Sequence, residues 1–240
     1  MNWKLILFVV FTLVFTIIMG AIQGIANIDA KYIVLPQLAP ALSYLVTVLL
    51  FKKLFRPIII NFNKTIFVRA LLAMVIPLLL FMLTYFIGKL LGTDVKIKPD
   101  LFPIIFVMLL GIIIGGEIGW RSFFQPSLKN KIPLIISSLI VGLIWGLWHV
   151  GHYKNGLIFM LGFLLFTISA SIIVVYLLKD TRYNIVISSM FHISINIGFL
   201  IFFYNNFENT KLFLINGFVW LLTAIILSIC GRKYYCIKAK

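Results

Sequence analysis

What most constrains this chain is a series of apolar runs, each roughly 20 residues long, the length an α-helix needs to cross the hydrocarbon core of a bilayer. Eight can be traced, at approximately Leu5–Gly24, Ile33–Phe51, Ile66–Ile87, Leu101–Trp120, Ile132–Val150, Leu157–Leu178, Ile185–Phe203 and Leu212–Cys230. In lipid a backbone must satisfy its own hydrogen bonds. The runs therefore predict an all-α fold, a polytopic membrane helix bundle of about eight transmembrane helices. Composition agrees: 11% of the residues are charged, against about 25% in a water-soluble domain. Pro36 and Pro40 make the second run the weakest. The first follows Lys4 as a signal peptide would, but it outlasts an h-region and no A-x-A-like site follows it, so it reads as a retained helix. With no soluble domain, low-complexity tract or repeated motif, residues 1–240 read as a single integral membrane domain.

Lysine and arginine set the orientation. With the N-terminus inside, 15 of the 21 basic residues fall in the terminal segments and the loops after runs 2, 4 and 6. Both termini are therefore expected to be cytoplasmic, in the plasma membrane of the cell. The net charge of +15 is then mostly topological signal facing anionic lipid. It is scattered over short loops without a recognition module, which argues against nucleic acid as a partner. Cys230 and Cys236 fall at the cytoplasmic end and are expected to be reduced thiols.

Of six acids, only Glu117 lies within a run. His149 and His192 also lie within runs, and His152, just past the end of one, reads as interfacial. An ionisable group at that depth costs at least about 2.5–3.5 kcal/mol, which makes each a functional candidate. The structural alternative is simple pairing. Glu117 and Arg121 stand at i, i+4 with the acid first, which would let Arg121 anchor its helix at the cytoplasmic interface. His192 and Asn196 repeat that spacing. Gly111 with Gly115, and Gly142 with Gly146, are small-xxx-small pairs that let helices approach closely next to these residues.

Three motifs carry a resemblance. "GEIGWR" (Gly116–Arg121), "WGLWH" (Trp145–His149) and "HISIN" (His192–Asn196) resemble, in order and helix placement, the Glu-Glu-x-x-x-Arg, Phe-x-x-x-His and His-x-x-x-Asn/Asp motifs of the CAAX-processing and bacteriocin-immunity (Abi, CPBP) membrane endopeptidases. The motifs lie within residues 116–196, and the family core would be approximately 101–230. The resemblance implies hydrolysis of peptide bonds in hydrophobic or membrane-bound peptides, with lipid as the surrounding partner. It implies a catalytic set of Glu117, His149, His192 and Asn196, supported by Arg121 and Gly116. His149 would activate water, His192 and Asn196 would stabilise the oxyanion, and Glu117 with Arg121 would be the supporting pair.

The chain departs from that pattern at Gly116, which stands where the family has its first, water-activating Glu. Three readings follow. Glu117 is recruited as base, His149 acts alone, or hydrolysis is lost and the chain is a membrane scaffold or immunity protein that binds a partner. A transporter would show an inverted repeat, and none is visible. No metal or other cofactor is expected. A zinc set of Glu117, His149 and His192 is the weaker alternative, since no H-E-x-x-H spacing occurs. Straight helices through these runs would leave Glu117 and His149 on the order of 10–20 Å apart along the bundle axis. Helix tilt, or a continuation of the fourth helix beyond Arg121 towards Pro126, would close that gap and let Glu117, His149, His192 and Asn196 share one cavity.

Overall fold

The computed structural model of the chain describes residues 3–29, 34–93, 95, 116–203 and 206–235. All regular structure among them is helical. The elements are α1 (Trp3–Ile25), a 3-10 turn (Leu35–Leu38) leading into α2 (Ala39–Leu50), and α3 (Lys64–Leu90). Next comes α4, a π-helical segment (Ile118–Phe124) that passes without a break into an α-helical turn (Gln125–Lys129). Then follow α5 (Leu134–Trp148), a 3-10 segment (Val150–Asn155), α6 (Leu157–Leu177), α7 (Ile185–Gly198, extended by a π-turn, Phe199–Phe203), α8 (Thr210–Cys230) and the short α9 (Arg232–Tyr235).

Five of these helices are long and apolar enough to cross a membrane, and α2 with its leading turn and α5 are shorter apolar helices. The all-α membrane bundle expected from the runs is borne out. Pro36 and Pro40 explain the shortness of α2: proline supplies no N–H and fixes φ, so the run begins as a 3-10 turn and is α-helical only from Ala39. The fourth run lies mostly outside the described residues, as do Gly111 and Gly115.

The bundle is organised around α6, whose apolar stretch is 72% buried, against 17% for α1. Lipid is as apolar as leucine, so tight packing between these helices comes from small residues and shape. A Cβ at Gly142 on α5 would stand 2.5 Å from the Ile168 Cα on α6, and one at Gly162 on α6 would stand 2.7 Å from the Phe213 carbonyl on α8. Helix α7 reaches α3 where Gly198 meets the ring of Phe81. Phe81, Phe166, Phe199 and Trp220 then form an aromatic centre with ring separations of 4.8–6.1 Å. Asn63, Asn184 and Asn209 each cap a helix by accepting from a backbone N–H at 2.9–3.0 Å.

Candidate active site

The site begins on the helix that carries Glu117. On an ordinary α-helix, residues four apart drift by about 40° around the axis, and the wider π-turn counters that drift. Glu117, Arg121 and Gln125, at i, i+4 and i+8, consequently act as one buried row. Glu117 Oε2 lies 3.7 Å from Arg121 Nε. Arg121 Nη1 donates to Gln125 Oε1 at 3.1 Å and to Ser171 Oγ on α6 at 2.9 Å. Gln125 Nε2 donates to Ser137 and Ser138 on α5, at 3.0 and 3.3 Å. Gly119, inside the π-segment, lets this helix rest on the backbone of Pro40.

Arg121 is only 3% exposed and Glu117 5%. The expected interfacial anchor is therefore corrected: Arg121 is enclosed by α5 and α6, its guanidinium against the Trp145 ring at 5.8 Å. A buried pair like this is strongly destabilising when one partner is removed.

The other carboxylate oxygen, Glu117 Oε1, stands 3.0 Å from His192 Nδ1 on α7. A carboxylate accepts, so Nδ1 of His192 donates and Nε2 is the remaining nitrogen. His149 is similar. It ends α5, and its Nδ1 donates to the Trp145 carbonyl at 2.7 Å, which again leaves Nε2 as the remaining nitrogen. The two imidazoles flank Trp145, at ring separations of 6.1 Å for His149 and 5.9 Å for His192.

His149, His192 and Asn196 line one cavity of about 310 Å³, together with His152, Trp145 and Phe163. Glu117 does not line it. It stands behind His192. The ring of His152, a residue expected only at the interface, stacks on His149 at 5.6 Å and 7°. It is three residues along from His149, and the 3-10 segment Val150–Asn155 brings the two rings together, a turn that apolar periodicity does not announce. Burial pushes the His152 imidazole down to about 4, with Lys154 adding to the effect. Gln125 and Ser171, which hold Arg121, were not singled out in the sequence. Gly116 borders the cluster: a Cβ there would lie 3.8 Å from Cε1 of His192 and 3.0 Å from Cδ1 of Trp120.

The axial gap closes as the continued helix allows. From Glu117 the chain stays helical to Lys129, a rise of ~18 Å, and α5 returns over ~22 Å from Leu134 to His149, a difference of about 4 Å. Trp120 and Trp148 accordingly meet at 6.0 Å. Among the described residues no three His, Cys, Asp or Glu side chains are grouped as metal ligands; the carboxylate of the weaker zinc alternative is turned towards Arg121 and His192 Nδ1.

Residues 98–198 match the family described as Type II CAAX prenyl endopeptidase Rce1-like. Lysostaphin resistance protein A of Staphylococcus haemolyticus is 29% identical over 209 residues, which cover 81% of this chain and 56% of that protein. Lysostaphin resistance protein A of Staphylococcus epidermidis is 24% identical over 213 residues, 84% of this chain and 56% of that protein. CAAX prenyl protease 2 of Methanococcus maripaludis is 27% identical over 112 residues, 42% of this chain and 41% of that protein. The chain spans about half the length of the curated relatives it matches. The resemblance drawn from the three motifs is borne out.

Proposed function

We propose that this chain, an integral membrane protein similar through residues 98–198 to the type II CAAX prenyl endopeptidases, hydrolyses peptide bonds of hydrophobic or membrane-bound peptides, with His192 as the group that takes the proton from water. The observation that carries this reading is the 3.0 Å hydrogen bond from His192 Nδ1 to Glu117. A carboxylate on Nδ1 fixes the tautomer, orients the ring and stabilises the imidazolium that forms when Nε2 accepts a proton. Glu117 thus acts on the water through His192.

The chemistry follows from the lining of the cavity. A water bound between the two histidines gives its proton to His192 Nε2 while its oxygen attacks the peptide carbonyl. His149 Nε2 accepts the second hydrogen bond of that water and aims it. The side-chain amide of Asn196 donates to the oxyanion, the kind of preorganised donor that stabilises developing charge. The C–N bond then breaks, and the amine leaves with the proton held on His192. This assignment moves water activation from His149, where the resemblance alone would put it, to the imidazole that has a carboxylate partner. No metal enters the sequence of steps, and a chelator is expected to leave the rate unchanged. The membrane is the plasma membrane, with both termini cytoplasmic.

A second reading has a specific observation behind it. Gly116 offers no carboxylate where the family has its first Glu, and Glu117 is engaged by Arg121 and His192. A chain in that state could serve as a scaffold or immunity protein that binds a membrane partner. The discriminating experiment is cleavage of internally quenched hydrophobic peptides by the full chain in liposomes made in H₂¹⁸O. The peptidase reading expects ¹⁸O in the new carboxylate and no cleavage by His192→Ala. A wild type that cleaves no peptide, with cellular function intact in a Glu117, His149 and His192 triple substitution that still accumulates, would establish the scaffold.

A further inference from the structure

A second polar cavity, of about 260 Å³, lies where the loop before α3, the segment Ser122–Asn130 and the turn before α7 meet. Arg56, Lys129 and Arg182 line it with Ser122, Asn130 and Tyr183, and among the described residues no carboxylate does. Among the described residues none of the three cations is ion-paired. An adjoining cavity shares Arg56 and Asn130 and adds Lys53 and Lys131. Among the described residues the hydroxyls of Ser122 and Tyr183 are buried without a hydrogen-bond partner, Ser122 being 6% exposed. A buried hydroxyl left unpaired is costly, and both residues stand in the wall of one cationic cavity. Burial also pushes the Tyr183 phenol up, so it is a donor at neutral pH.

The walls are held in place. Arg56 Nε donates to Ser127 Oγ at 3.0 Å and, with the Asn130 oxygen turned towards it, Nη2 donates to Asn130 at 2.7 Å. Lys129 sits over the rings of Tyr183 and Tyr234, at 5.5 and 5.9 Å. The turn is tied to the loop by Ile185 N donating to Ile59 O at 3.0 Å and by Asn184 Nδ2 donating to Asn61 O at 2.9 Å. Arg182 and Tyr183 have φ of 56° and 61°, a left-handed backbone that non-glycine residues adopt only where the surroundings impose it.

We propose that this cavity is a binding site for a phosphate group. Arginine and lysine together are the side chains suited to phosphate, and two hydroxyl donors complete the set. At about 30 Å³ per water, the space admits a phosphate with several waters. The group comes either from the headgroup of an anionic phospholipid or from free phosphate. Ser122 directly follows Arg121, so occupation fixes the segment that carries the Glu117–Arg121 pair. The proposal does not depend on peptidase activity.

The test uses the purified full chain in detergent. Inorganic phosphate is titrated calorimetrically, and retention of short-chain phosphatidylglycerol against phosphatidylcholine is read by native mass spectrometry. The double variant Lys129→Gln/Arg182→Gln and the single variant Ser122→Ala are compared with Lys64→Gln/Lys179→Gln, which removes equal charge outside this cavity. At least one probe should bind, and the double variant should weaken it roughly tenfold or more. Ser122→Ala should weaken it in the same direction, and the control pair should bind as wild type does. Loss confined to phosphatidylglycerol identifies a lipid headgroup, and loss for inorganic phosphate identifies the free anion. Binding of neither probe, or equal weakening by the control pair, overturns the site. If the double variant does not fold, unchanged binding in Ser122→Ala does so alone.

Discussion

Glu117 is the residue on which the site turns, and only part of its role was legible. Its i, i+4 relation to Arg121 is written in the sequence. Its contact with His192, 75 positions away, depends on how α7 packs. Gln125, Ser137 and Ser171 are neutral polar residues of types common in membrane helices, so nothing in their spacing marked them as the support of Arg121. Gly116 yields a prediction in which geometry and chemistry meet. A carbon added there would lie 3.0 Å from the Trp120 ring and 3.8 Å from His192 Cε1, beside a Trp120 indole nitrogen that is buried without a partner among the described residues. With Glu117 and His192 already activating water, Gly116→Glu is expected to leave the cleavage rate within about tenfold of wild type, whereas a chain that lacks its base would gain roughly 10²–10⁴, the worth of one acid–base group. Gly116→Ala should leave the rate near wild type; kcat/KM on one peptide checks both. His152 gives a prediction in pH. Its imidazole is held at about 4 in the fold and titrates near 6.5 when unfolded. The unfolded chain therefore binds the extra proton first as pH falls. The contribution of His152 to stability is complete above 6.5 and is lost between 6.5 and about 4. Unfolding in mixed micelles across this range should show His152→Gln losing less stability on acidification than wild type.

At the scale of elements, the long helices were readable because length and apolarity suffice to define them, and α1, α3, α6 and α8 fall within a few residues of the runs. The ends and irregularities were not. The fourth run loses its apolar character at Arg121, which suggested an interface there. The helix instead continues to Lys129, because Arg121 and Gln125 find partners inside the bundle. The π-segment has no sequence signature of its own; what it needs is Gly119, where the helix rests on Pro40. Gly119→Ala is expected to destabilise the protein by about 1–3 kcal/mol through overpacking. Gly24→Ala, in a helix with nothing among the described residues within 4 Å of the added carbon, should be neutral or stabilising by roughly 0.5–1 kcal/mol. Reversible unfolding in SDS-containing mixed micelles measures both.

At the scale of the whole molecule, the loops richer in lysine and arginine gather at one end of the bundle. Trp3 meets Phe51 at 5.2 Å, Ile59 pairs with Ile185, and Lys129 and Lys179 reach Tyr234. The loops assigned to the other side meet at the far end of the helices, where Lys154 lies 3.9 Å from Glu208 and Lys211 donates to the Leu91 carbonyl. The polar residues were legible as a set because charge is rare in this chain. Their division into a cavity wall and a buried support behind it was not, since that depends on helix rotation. Reporter fusions after Tyr235 should report a cytoplasmic location. Activation of water by Glu117 through His192 is decided by the rate of peptide cleavage by Glu117→Gln in liposomes. Glutamine keeps the shape but cannot stabilise the imidazolium. A fall in kcat of roughly 10²–10⁴ with peptide binding unchanged is the expected result. Cleavage at the wild-type rate by Glu117→Gln, in a preparation where His192→Ala is inactive, would contradict it.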